Sequence, residues 1–271
     1  MSGGLRKIWA FLVRDFRQES SYRLHFISQW SAILLNILVW YFLARFAGDA
    51  LSERLGDYGG DFFSFLLVGV ALWGYQNTAV RALRLKIREA QTSGTLEALL
   101  VTRTSPNLII IGSTIYDFVF MSLRVVAYLV LGYLLFDLEL GEANYLAALV
   151  VLLFSITAFI GIGIIAGAFI MVFKKGDPVT WIFTSLSVPL GGVFYPVSSL
   201  PGPVQWVSNL LPVTHSLEAM RRTLLDGASI SEVRGSLFSL ALFAAILLPA
   251  SLVIFRKSLH WAKERGSLVQ F

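Results

Sequence analysis

The sequence predicts an all-α polytopic membrane protein, and three observations carry that prediction. Six apolar segments of roughly 20 residues or more follow one another along the chain, each long enough to cross a ~30 Å hydrocarbon core. The 271 residues are 56% hydrophobic and 14% charged, with a mean hydropathy of +0.71, a surplus that must face something other than water. Basic residues, finally, gather in alternate connections between the segments.

The chain starts with an amphipathic segment, 1–23. Leu5, Ile8, Trp9, Leu12, Val13 and Phe16 recur at spacings of three and four, and Arg6, Lys7, Arg14 and Arg17 take the other side. This predicts a helix lying in the membrane interface. The segment is too charged for a secretory signal and no small-residue cleavage site follows the first apolar run, so no processing is expected.

The six spans are placed at 24–47, 62–80, 107–136, 145–173, 178–197 and 235–255. An even count puts both termini on one side. The amino-terminal segment, the second connection (Arg81, Arg84, Lys86, Arg88, Arg103), the fourth (Lys174, Lys175) and the tail (Arg256, Lys257, Lys263, Arg265) are basic. The first connection carries Asp49, Glu53, Asp57 and Asp61 against Arg54, and the third carries Asp137, Glu139 and Glu142 alone. Lys and Arg accumulate in short cytoplasmic loops, so both termini are expected in the cytoplasm of a multi-pass protein of the plasma (inner) membrane. No repeat or soluble-sized linker is visible, and 1–271 is taken as a single transmembrane domain.

The net charge of +5 sits beside the spans, which argues for lipid headgroups and against a nucleic-acid partner. Cysteine is absent, which removes disulfides and thiolate metal sites.

Two connections are more than tethers. The first, 84–106, reads RLKIREAQTSGTLEALLVTRTSP. Thr92 or Ser93 is placed to cap a short helix starting at Gly94, Glu97 falls in its first turn near the positive dipole end, and Pro106 opens the next span. The second, 187–227, is broken by Pro189, Gly191, Gly192, Pro196, Pro201, Gly202, Pro203 and Pro212, yet stays apolar. Non-helical backbone at membrane depth is tolerated where protein buries it or water reaches it, so a re-entrant pair of short helices is expected there.

These segments resemble the permeases of type-2 ABC exporters, which handle drugs, lipids and lipid-linked or cell-surface polysaccharides, and the likeness covers essentially the whole chain. GTLEALLVTRTSP is similar to that family's cytoplasmic coupling helix, which implies ATPase docking through Arg88, Glu89, Gly94, Thr95, Leu96 and Glu97. GGVFYPVSSLP followed by LLPVTHSLEAMRRTLLDG resembles its extracellular re-entrant hairpin before the last span. Gly191, Phe194, Pro196, Pro201, Pro212, Glu218 and Arg221 match, with Tyr195 beside Phe194 at the outer exit. His215 departs from the pattern, standing where a small or aliphatic residue is expected. The resemblance further implies a second copy of the permease, a homodimer with a heterodimer as the alternative, two copies of an ABC ATPase subunit, and ATP and magnesium held by that partner.

Asp117 and Arg124 share a face of the third span, where a charge costs at least ~2.5 kcal/mol. A structural pairing, with a partner on another helix, competes with a role in the pathway. The corresponding alternative function is an ion-coupled secondary transporter or channel using these two residues, although no inverted repeat supports it. Gln29, Asn36, Gln76 and Asn77 are expected to hydrogen-bond between helices, Gly163 and Gly167 to permit close packing within the subunit. Trp30, Trp40, Tyr41, Trp73 and Tyr75 suit an interfacial belt, with stacking on a sugar or drug as the competing use. His215 and Glu218 lack a third ligand or a nucleophile, so neither a metal nor a catalytic residue is expected. No GxxxxGK[ST] loop exists to cradle ATP.

Overall fold

The computed structural model describes residues 2–47, 61–95, 106–136, 138, 140, 143–174 and 176–264. These form α1 (Ser2–Ser21), α2 (Arg23–Ala47), α3 (Phe62–Thr92), α4 (Pro106–Leu135), α5 (Tyr145–Phe173), α6 (Pro178–Leu190), a 3-10 turn (Val197–Ser199), α7 (Gly202–Ser208), α8 (Pro212–Leu225) and α9 (Arg234–Glu264). No strand occurs among the described residues. Among the described residues five helices, α2, α3, α4, α5 and α9, are long and apolar enough to cross a membrane, while α6 has 13 residues. At 1.5 Å per residue α6 is only ~20 Å long, short of a full hydrocarbon core.

Polar caps set the helix ends. Asp61 accepts from the Ser64 amide at 2.9 Å to start α3, Asn144 from Ala147 at 3.1 Å to start α5, and Asp177 from Thr180 at 3.0 Å to start α6, with Pro178 at its first position. Before α9, Ser229 donates from its amide (2.7 Å) and hydroxyl (2.6 Å) to the Glu232 carboxylate, whose pKa these bonds lower.

α3 and α5 form the centre. α3 packs on α2, α4, α5, α6 and α8, and α5 packs on α3, α6, α8 and α9. Gly163 makes this possible: a Cβ there would stand 2.0 Å from the Ala79 carbonyl oxygen, so the backbones of α5 and α3 meet with no side chain between them. Gly167, one turn further, lies against Leu83 and Ile87 of α3. The expectation of intrasubunit packing for this glycine pair therefore holds.

Three apolar clusters fill the bundle. One joins α3, α5 and α8 through Leu72, Phe159 and Leu217; a second joins α2, α3 and α4 through Ile37, Phe65 and Tyr128; a third joins α3, α5 and α9 through Leu83, Ile164 and Phe255. α1 packs on α4, where Gly112 leaves room for the Phe11 ring, and its Leu5, Trp9 and Phe16 remain exposed.

Candidate functional site

At the basic end of the bundle, α3 continues beyond the span expected to stop at residue 80 and runs to Thr92. The extension persists because Ala82, Leu83 and Ile87 are buried while Arg81, Arg88 and Glu89 point outward. The Thr92 hydroxyl donates to the Arg88 and Glu89 carbonyls at 3.1 and 3.0 Å, and Ser93 to Glu89 at 2.8 Å. These two residues thus end α3; they were expected to cap the following helix. Gly94 turns the chain at φ +69°, with no atom of the described residues within 4 Å of a notional Cβ, and the Thr95 hydroxyl lies 2.8 Å from that of Ser93. Leu96 and Glu97 lie outside the described residues.

Ion pairs fasten this extension to its neighbours. Arg84 meets Asp177, the cap of α6, at 2.7 Å. Lys86 lies 3.6 Å from Asp15 of α1, which is 2% exposed and also pairs with Arg14 at 2.7 Å. Asp117 of α4 sits in the field of Lys86, Asp15 and Glu19. Its strongest opposite charge is thus on another helix, α3, and no ion pair joins it to Arg124 among the described residues. Arg124 instead lies 5.8 Å from the Phe120 ring centroid.

At the opposite end, α6 stops at a turn. Gly191 closes it by donating to the Ser187 carbonyl at 2.9 Å, and Gly192 takes φ +78°. Tyr195 donates its hydroxyl to the Pro189 carbonyl, and Pro196, buried, leads into the 3-10 turn. Pro201 precedes α7, where Gln205 donates back to the Leu200 carbonyl at 2.7 Å. Pro212 opens α8. The His215 ring nitrogen lies 2.9 Å from the Asn209 carbonyl oxygen, which gives the unexpected histidine a packing role between α7 and α8.

Arg221 locks this turn to the bundle. Only 2% exposed, it donates from Nε to the Phe65 carbonyl at 3.2 Å, from Nη1 to Gly192 at 2.7 Å and from Nη2 to Val193 at 2.7 Å. Its Cζ lies 3.4 Å from the Phe65 ring centroid. Gly69 is what lets the guanidinium in, since a Cβ there would approach both Arg221 Nη2 and the Val193 oxygen to 2.4 Å. One side chain of α8 thereby ties α3 to the turn.

Phe194 carries the turn outward. Its ring stacks on Trp40 of α2 (5.0 Å, 27°) and meets Trp73 of α3 edge-on (6.5 Å, 63°). The tryptophans expected to form a belt are thus drawn into a cluster with the turn. Gln76, 2% exposed, joins α3 to α6 by donating to the Phe183 carbonyl at 3.2 Å and to the Ser187 hydroxyl, as structural glue requires. Asn36 and Asn77 do otherwise: they bond within their own helices, to Trp40 and Trp73.

Glu218 occupies α8 one turn before Arg221, and no group of three or more His, Asp or Glu side chains placed to hold a metal occurs among the described residues. Sequence reasoning missed Gly69, Phe65, Asp15 and the Lys86 contact. Only the burial of Asp15 on the inner side of an amphipathic helix left a trace in the sequence.

Residues 7–225 match the family model described as ABC-2 type transporter. A search of curated proteins returns no match.

Proposed function

The chain belongs to the ABC-2 type transporter family, and from that premise, which makes it a multi-pass membrane subunit of an ABC-2 exporter, we propose how it works. Two copies form the translocation pathway for an amphiphilic cargo, a drug, a lipid or a lipid-linked or cell-surface polysaccharide. Each copy docks a separate ATPase, which holds ATP and magnesium, through Arg88, Glu89 and the segment Gly94–Glu97. The basic connections support a cytoplasmic position for this docking segment and both termini, in a plasma (inner) membrane protein. α6 makes the fifth of six crossings and the re-entrant turn follows it, and Trp40, Phe194 and Trp73 bound the outer exit.

One observation carries this reading: α3 runs unbroken from the Phe65 carbonyl, which Arg221 grips, to the turn at Gly94. Its ion pairs to Asp177 and Asp15 make α6 and α1 move with it. Closure of two ATP-bound ATPases therefore tilts these helices as a body and shifts the turn at the far end.

Reversing the charge at Glu97 tests the docking. Glu97→Lys is expected to insert normally and to lose most of its copurifying ATPase together with vanadate-sensitive transport; undiminished copurification refutes the assignment. Asp117→Asn tests the energy source. The variant should keep vanadate-sensitive transport, because the charges that act on this carboxylate, Lys86, Asp15 and Glu19, belong to α3 and α1 and favour a structural pairing. Loss of a proton or cation dependence in that variant, or uphill transport by the chain alone in liposomes, would establish an ion-coupled carrier instead.

A further inference from the structure

We propose that a slot between the outer halves of α4 and α5 holds one acyl chain of a bilayer phospholipid. α4 and α5 are consecutive, yet each packs far more extensively on α3 than on the other. The gap they leave forms two adjoining cavities of about 340 and 540 Å³ that share Val126, Leu129 and Tyr145. That is the size range of small-molecule sites.

The floor is buried core: Ala71 and Leu72 of α3, Ala148 of α5, and Met220 and Leu224 of α8. The two alanines create the depth. The lips, Val126 at 56% and Leu149 at 52% exposed, are apolar and open sideways.

Three features commit the slot to a hydrocarbon chain arriving from the bilayer. Its outer end is roofed by Leu140 and Tyr145, and the Asn144 amide ties that connection to α8 through the Thr223 carbonyl at 2.8 Å. Entry is therefore from the side, through lipid. The polar pair in its wall is already engaged: Tyr75 donates to Ser122 at 2.7 Å, and Ser122 donates to the Phe118 carbonyl at 2.8 Å. A polar ligand would find little to bind. Tyr133 and Tyr145, each 62% exposed, flank the roofed outer end of the slot at the ends of their spans, where amphipathic rings meet headgroups. Assignment to the outer leaflet rests on the orientation proposed above; the slot itself does not.

The test uses the full chain in nanodiscs containing phosphatidylcholine with a diazirine at mid-chain, and maps the photolabel by peptide mass spectrometry. Labelling of residues 122–130 and 145–152 is expected to exceed that of the exposed face of α9, at Phe238, Leu242 and Ile246, by at least about fivefold. Ala148→Trp fills the floor and should reduce slot labelling about fivefold while leaving α9 unchanged. Val126→Trp closes the mouth from an exposed position and should do the same without perturbing the core. Labelling spread evenly over exposed helices, or undiminished in both variants, overturns the proposal. So does efficient disulfide dimerisation of Leu149→Cys, which would make a second copy the occupant; the native chain has no cysteine to confuse that readout. None of these measurements depends on an ATPase or on transport, so failure here leaves the exporter reading intact.

Discussion

Arg221→Ala should produce the most damaging single truncation in the hairpin region. The substitution removes the donor from three backbone carbonyls, those of Phe65, Gly192 and Val193, in a site that is 2% exposed. The Phe65 carbonyl keeps its place in the α3 ladder, but those of Gly192 and Val193 lie outside any helix, and a buried acceptor left without a donor costs roughly 1–3 kcal/mol, so the total is several kcal/mol. For a chain of this size that corresponds to a fall on the order of 10 °C in melting temperature, measurable in detergent. Transport should be lost even in the fraction that folds, because the turn is no longer tied to α3. Arg221→Lys should restore little: its single ammonium cannot reach Phe65 on one side and Gly192 and Val193 on the other. A melting temperature within about 2 °C of the parent for Arg221→Ala would show that the guanidinium does not hold the turn.

Gly163→Ala comes second, and its interest lies in its sign. Replacing a helical glycine by alanine normally stabilises by about 0.5–1 kcal/mol. Here the added Cβ would stand 2.0 Å from the Ala79 carbonyl oxygen and 3.0 Å from its carbon. Backbone cannot rotate away as a side chain does, so α5 and α3 must separate and the packing around Leu83, Ile87 and Ile164 opens with them. A loss of about 2–4 kcal/mol and a sharply lower folded yield are expected. Gly235→Ala is the control: it lies in the first turn of α9 with nothing within 4 Å of its notional Cβ, and should be neutral or slightly stabilising. Equal melting temperatures for the two variants would refute the close crossing.

Much of the bundle was legible as apolar runs with polar punctuation. Residues 145–173 were bounded as they fold, and α2 and α4 differ from expectation by a residue, because Asn144, Lys174 and Pro106 mark the boundaries. The errors lie where a helix outlives its apolar run. α3 and α9 continue past the expected ends at 80 and 255 because Leu83, Ile87, Leu259 and Ala262 keep one face buried while the charges occupy the other. α6 errs the other way, since Gly191 and Gly192 stop it while the sequence stays apolar.

The candidate site was legible as positions and not as contacts. Arg221 was singled out, but its acceptors are backbone carbonyls, which every residue type supplies, and the partner at Phe65 is 156 residues away. No side-chain pattern can encode such a bond. Gly69 is a similar case: a glycine in an apolar helix reads as small, and only the folded chain gives the guanidinium that needs the space.

The crossing of α3 over α5 has a mechanical meaning. With Gly163 pressed on Ala79, α3 rests on a fulcrum, and about 20 Å of helix extends from it in each direction, down to Thr92 and up to Phe65. A stiff rod so balanced is a seesaw with equal arms. Under the docking proposed above, a partner pushing its lower end inward by a given distance would lift the upper end outward by nearly the same distance, and Arg221 would hand that stroke to the turn.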